Sequence, residues 1–178
     1  MLVMAPTSPD GRELHHAQTA RLGLRHNFIV ETIDLMAENV TPAMSRTERL
    51  RYQSGDPVVD PAIGVHTELV ARADAMVFVF PTRWWTPPPV LKAWIERVFL
   101  PDVAFVLDDR HRVRPNLRQL RAVVGITTHS HPEVIAGGGD GARRMLLRTM
   151  RLNAPRRVRT DWLVDPDDSA IARRMSRL

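Results

Sequence analysis

Cysteine is absent from this 178-residue chain. That excludes disulfides, thiolate nucleophiles and cysteine-held metals. Lysine is nearly absent as well: Lys92 is the only one, and every other basic side chain is arginine. No apolar run approaches the roughly 20 residues that span a bilayer. The opening Met1-Leu2-Val3-Met4-Ala5-Pro6 has no basic segment ahead of a long apolar core, so a secretion signal is not expected and the cytoplasm is the expected compartment. No repeat, low-complexity tract or Gly/Ser linker divides the sequence, and one domain over residues 1–178 is expected.

What is present suits a packed core. The chain is 44% hydrophobic and 25% charged, which argues against wholesale disorder. Its net charge is +5, with arginines gathered between Arg110 and Arg121 and between Arg143 and Arg159. Two explanations stay open: codon usage in a GC-rich genome, or an anionic partner gripped by guanidinium forks. Neither group is interleaved with aromatics as a base-stacking platform is, so no nucleic-acid partner is expected.

Short apolar runs alternate with helical stretches. Leu2–Ala5, Phe28–Leu35, Ala75–Phe80, Leu120–Thr127 and Val158–Val164 read as strands. Ala75–Phe80 is continuously apolar, as a strand covered on both faces is, and Pro81 is expected to stop it. Helices are expected between Leu14 and Leu24, around Glu48–Tyr52, over Pro61–Ala73 and Pro88–Phe99, from Gly141 to about Leu152, and over Ala170–Arg177 behind Asp167 or Asp168 as cap. Asp10 is expected to cap the first helix. Strands alternating with helices imply an α/β fold with a five-stranded parallel sheet, for which the order 2-1-3-4-5 is one of the common solutions. Ligands then bind at the C-terminal ends of the strands, so the loops after strands one, three and four matter most.

The loop after strand three holds Trp84 and Trp85 between Pro81 and Pro87-Pro88-Pro89. One reading packs one indole in the core and the other at a subunit interface; the other makes them a stiff wall for a flat ligand. The loop after strand four, Thr127-Thr128-His129-Ser130-His131, offers hydroxyls, imidazoles and amides. Two histidines at i, i+2 without a third ligand nearby do not make an expected metal site. Gly137-Gly138-Gly139-Asp140-Gly141 lacks the Lys-Ser/Thr of a phosphate loop and reads equally as a lid or a ligand contact. After strand one, Thr7, Ser8 and the amides near Gly11 are candidates for an anion at a helix N-terminus.

Ala73-Asp74-Ala75-Met76-Val77-Phe78-Val79-Phe80-Pro81-Thr82-Arg83-Trp84-Trp85, followed by Pro88-Pro89-Val90-Leu91-Lys92-Ala93-Trp94-Ile95-Glu96-Arg97-Val98-Phe99, resembles the flavodoxin-fold NAD(P)H:quinone oxidoreductases. Pro101 and Ala104-Phe105 continue the match, and Thr127-Thr128 stands where that family has Thr-Thr-Gly-Gly. The resemblance implies a flavodoxin-like three-layer sandwich and a flavin, FMN by the length of the chain although FAD fits the family too. It implies NAD(P)H as hydride donor and quinones or similar planar acceptors reduced in a ping-pong cycle. By the same resemblance Pro81, Thr82, Arg83, Trp84 and Trp85 run along the isoalloxazine, and Thr127, Thr128 and His129 meet its far edge. Thr7, Ser8 and Arg12 fall at the phosphate end, and His129 and His131 are the candidate catalytic groups in place of the family's Tyr and His. The sequence departs from the family at Ala5, where a His is usual, and at His129-Ser130, where Gly-Gly is usual.

Two further expectations concern role and assembly. The departures leave a second role open, a flavodoxin-fold regulatory protein with weak or no catalysis, similar to relatives that bind potassium-efflux systems. Val90, Leu91, Trp94, Ile95, Val98 and Phe99 wrap more than one face of their helix, wider than the roughly 100° stripe one core contact needs. A two-fold partner is the expected cover, giving a homodimer; the competing cover is Met44–Val59 of the same chain. Lys92, Glu96 and Arg97 match the motif and are equally read as surface or interface ion pairs.

Overall fold

A computed structural model describes residues 1–7, 11–41, 43–52, 60–129 and 140–178. The elements run β1 (Leu2–Met4), α1 (Arg12–Leu24), β2 (Thr32–Asp34), α2 (Arg46–Arg51), α3 (Pro61–Arg72), β3 (Ala75–Thr82), α4 (Pro89–Val98), β4 (Phe105–Leu107), β5 (Val113–Pro115), β6 (Ala122–His129), α5 (Gly141–Asn153), β7 (Arg159–Val164) and α6 (Asp168–Met175). The main sheet is parallel and ordered β2-β1-β3-β6-β7, the expected 2-1-3-4-5 once the small β4–β5 hairpin is set aside.

Alternation along the central strands feeds two core layers, because successive strand residues face opposite sides. Met76, Phe78, Phe80 and Val123 join α3, α4 and α5 through Val70, Leu91, Trp94, Leu146 and Met150. Val77, Val79, Val124 and Ile126 join α1 and α6 through Ala17, Ala20, Leu24, Ile171 and Met175. Gly125 serves this packing: a Cβ there would lie 2.2 Å from the Trp162 ring, which also packs edge-on against Phe80.

Three expectations need correction. Pro81 does not stop β3, which runs on to Thr82. Val77 donates its amide to Met1, so the alternating amide positions of Val79 and Pro81 face the β1 side. There β1 has ended at Met4, and the missing N–H of proline breaks no ladder. The second strand is Thr32–Asp34 rather than Phe28–Leu35. The cap of α1 is Gly11, and Asp10 lies outside the described residues, as do Ser8, Ser130, His131 and Gly137–Gly139. At the far end Asp167 caps α6, accepting from the Ala170 amide at 2.7 Å.

The wide apolar face of α4 is covered within the chain. Trp94 is fully buried and its indole N–H donates to His66 Nδ1 at 3.2 Å, linking α4 to α3. Tyr52 donates to the Phe99 carbonyl at 3.1 Å. Arg97, 5% exposed, reaches Glu48 at 2.8 Å and Asp60 at 3.2 Å. Arg97 is thus an internal clamp, and the face that argued for a two-fold partner is filled by α3 and the chain around α2. Lys92 and Glu96 form an exposed i, i+4 pair on the same helix.

Candidate functional site

Strand ends determine where the site lies. β1, β3 and β6 all finish on one edge of the sheet, and β6 continues to His129, opposite Thr82 of β3. Beyond Thr82 the chain makes a two-residue turn. Arg83 donates to the Thr86 carbonyl at 3.1 Å and Thr86 returns an amide to Arg83 at 2.9 Å. Its two central residues are Trp84 and Trp85, with φ of 48° and 57°. This left-handed pair of φ values belongs to hairpin turns that glycine and asparagine usually occupy. Bulky residues there are strained, and such strain concentrates at functional sites. The indoles are not sunk in the core: Trp84 is 88% exposed and Trp85 38%, crossed edge-to-face with centroids 6.4 Å apart.

Around this turn the described site residues fall together. Thr82 is buried and its hydroxyl has no hydrogen-bond partner among the described residues. Arg83 reaches across to the Thr7 hydroxyl at 3.3 Å, joining the loop after β1 to the loop after β3. Gly141 at the start of α5 backs the turn, with no room for a side chain beside the Trp85 carbonyl. Thr127 is fully buried, its hydroxyl donating to the Leu163 carbonyl at 3.4 Å. Thr128 donates to Glu13 of α1.

His129 ends β6 and is 9% exposed. Its amide donates to Asp165 Oδ1 at 3.1 Å, and its Nδ1 lies 3.6 Å from Asp165 Oδ2. Arg12 binds both partners, with Nη1 3.1 Å from Asp165 Oδ1 and Nη2 donating to the His129 carbonyl at 3.0 Å. Arg12 is therefore engaged by a carboxylate. Ser8 and His131 lie outside the described residues.

Sequence reasoning missed Glu13 and Asp165. Glu13 is 6% exposed in the first turn of α1, and Asp165 follows β7 with φ of 44°. The loop after the fifth strand was the signal for Asp165, since it ends on the same sheet edge as the three loops inspected. The arginine group 110–121 has partners of its own: Arg112 and Arg114 bind Asp108 at 3.0 and 2.9 Å, and Arg121 binds Asp74 at 3.2 Å. Among the described residues no cluster of His, Asp and Glu is arranged to hold a metal, and no helix is long and apolar enough to cross a membrane.

The residues fit a planar cofactor at the ring end. Two indoles stand free of the core, with an unpartnered buried hydroxyl at Thr82 beside their turn. At the other end, the first turn of α1 already carries the Glu13 carboxylate.

Comparison with known proteins finds the same fold. A family profile described as a flavodoxin-like fold matches residues 2–154. The chain is 29% identical over 97 residues to NAD(P)H dehydrogenase (quinone) 1 of Cavia porcellus, a stretch that is 51% of this chain and 35% of that one. The chain thus spans about a third of that relative. The solved structure of an NAD(P)H:quinone oxidoreductase from Methanothermobacter marburgensis superposes with a TM-score of 0.75 at 20% identity, covering 99% of this chain and 91% of that one. An FMN-dependent NADH-azoreductase from Bacillus anthracis str. Ames Ancestor, in complex with FMN, superposes with a TM-score of 0.63 at 10% identity, covering 99% and 94%.

Proposed function

From the premise that the chain belongs to the flavodoxin-like fold family, we propose that it is a flavin-dependent NAD(P)H oxidoreductase that reduces quinones or similar planar acceptors. The observation that carries this reading is the strained turn that holds Trp84 and Trp85 outside the core at the C-terminal end of a central strand. The names of the quinone oxidoreductase and azoreductase relatives support it. FMN is the cofactor we assign, with NAD(P)H as donor in a ping-pong cycle, in a single-domain cytoplasmic homodimer. The dimer is motivated by Trp84, whose exposed indole is the kind of apolar surface a partner chain covers.

When bound, the flavin supplies the hydride acceptor and donor chemistry. The chain supplies placement. Trp84 and Trp85 would wall a flat ring on one side, one by its face and the other by its edge, and keep water from it. The Thr82 hydroxyl and the backbone of Pro81 and Arg83 would hold the ring edge. Thr128 and His129 would bound the site from β6, and Thr7 and Arg12 would serve its phosphate end.

A second reading is favoured by Glu13. A carboxylate in the first turn of α1 uses the positive helix end that would otherwise favour phosphate. On this reading the protein is a flavodoxin-fold regulatory protein with weak or no catalysis. Titration of FMN into the purified protein, followed by NADH and NADPH oxidation with a benzoquinone acceptor, decides between them. Saturable binding with acceptor-dependent turnover supports the enzyme; no binding of FMN or FAD overturns it.

A further inference from the structure

Two buried polar atoms without hydrogen-bond partners among the described residues face one another at the sheet edge: His129 Nδ1 and Asp165 Oδ2. They are 3.6 Å apart, just beyond hydrogen-bonding distance. Buried polar atoms are nearly always paired, so closing this gap satisfies both at once. The rest of the carboxylate is already fixed. Asp165 Oδ1 accepts from the His129 amide at 3.1 Å and from Arg12 at 3.1 Å. The φ of 44° at Asp165 turns the chain back toward His129, a conformation that aspartate tolerates better than most residues.

We propose that Asp165 is a positioning residue for His129: it holds a proton on Nδ1 and so presents Nε2 as the atom that hands a proton to the bound acceptor. This rests on the oxidoreductase reading above. Reduction of a quinone by NAD(P)H consumes one proton besides the hydride, giving hydroquinone and NAD(P)⁺. In the proposed step the doubly protonated ring gives its Nε2 proton to the acceptor oxygen as that oxygen gains electrons. The ring is left neutral with hydrogen on Nδ1, and Nε2 is reprotonated from solvent. Carboxylate-oriented imidazoles act in this manner on unrelated folds.

The charged groups around His129 among the described residues are few. Asp165 faces Nδ1 from the β7–α6 connection. Arg12 comes from α1 and binds the His129 carbonyl. Glu13, also on α1, is engaged by the neighbouring Thr128. From β3, Arg83 follows Thr82, the strand partner of His129, and is turned to Thr7. Asp165 is the one that addresses the ring itself.

Asp165→Asn tests the assignment. Asparagine suits a left-handed φ, and its single oxygen is needed where the His129 amide and Arg12 converge. Its NH₂ group then faces Nδ1, a donor against the ring, and the neutral tautomer inverts. ¹⁵N spectroscopy of the imidazole in the flavin-free full chain reads this directly. The expected result is hydrogen on Nδ1 in the wild type and on Nε2 in Asp165→Asn, with unchanged circular dichroism. Hydrogen on Nε2 in the wild type, or the same tautomer in both, overturns the proposal. In the flavin-loaded protein, Asp165→Asn is expected to lower kcat about a hundred-fold, the lower range for a lost acid–base group, with little change in KM. The same substitution added to His129→Gln is expected to cause no further loss; a further loss would make Asp165 merely structural and overturn the proposal. The ¹⁵N readout needs no flavin, so an absence of flavin binding would remove the oxidoreductase reading while leaving the tautomer result to stand or fall alone.

Discussion

The carbonyl oxygen of Trp85 occupies the space where a side chain on Gly141 would begin: a Cβ there would lie 2.4 Å from it. The obstacle is backbone on both sides, so neither can move without the turn or the N-terminus of α5 shifting. Gly141→Ala is expected to displace the tryptophan turn and cost about 1–3 kcal/mol of stability, as overpacking does. Calorimetry is expected to show FMN affinity falling at least as much as that of Trp85→Ala. Wild-type affinity in Gly141→Ala would mean that the turn does not form the ring wall.

Trp84 and Trp85 carry opposite predictions for stability and binding. Their φ values of 48° and 57° suit Asn-Gly, the favoured pair for this kind of turn. Removing bulky residues from left-handed backbone relieves about 1–2 kcal/mol per residue. The double variant Trp84→Asn, Trp85→Gly is expected to melt at a higher temperature than the wild type while losing flavin binding. If binding survives, the indoles are not the wall; if stability falls, they hold the fold.

Much of this arrangement was legible in the residues, and the reasons separate by range. The unbroken apolar run Ala75–Phe80 announced a strand covered on both faces, and the alternation of strands and helices announced the parallel sheet. The β4–β5 hairpin was missed because each strand has three residues and lies in an arginine-rich stretch that reads as charge alone. Its order comes from Asp108, which accepts from the amides of Arg110 and Arg112 and from the side chains of Arg112 and Arg114. The tryptophan loop was visible as a loop, but its left-handed turn was not, since nothing in the periodicity marks a strained φ. For Asp165 the end of the fifth strand marked the loop, but not the chain reversal that brings it to a residue 36 positions earlier.

Arg97 is expected to be the most sensitive ionic residue in the molecule. It is buried, and its guanidinium ties Glu48 and Asp60 to the Thr41 carbonyl, closing α2 and the start of α3 over α4. Removing one partner of a buried pair leaves the other charge uncompensated, at a cost of about 3–5 kcal/mol. Arg97→Ala is expected to lose that much in urea unfolding, whereas Arg97→Ala with Glu48→Gln loses less. Equal losses in the two variants would show that the cost is packing rather than charge. Lys92→Ala on the exposed side of the same helix is expected to change stability by less than about 0.5 kcal/mol.

Stability is expected to fall with pH in two separate windows, each with its own residue. Burial pushes the His16 imidazole below its ordinary 6.5, helped by the neighbouring His15 and Arg12 and opposed by Asp168 and Glu13. The unfolded chain therefore takes up this proton first, so the full contribution is present above pH 6.5 and is lost as the pH falls from there toward the folded value. Glu48 behaves likewise further down. Burial pushes its carboxyl up, but the Ser45 amide and Arg97 outweigh that and hold it below its ordinary 4.5. Its contribution is present above pH 4.5 and is lost as the pH falls through the depressed folded value. Asp60, held low by the Ala62 amide and Arg97, adds to the same acid window. Urea midpoints measured from pH 8 to pH 3 are expected to show both declines. His16→Gln flattens only the upper one, and Glu48→Gln only the lower, because the groups lie on different elements with no shared partner. A decline near pH 6 that persists in His16→Gln would assign that window to another group.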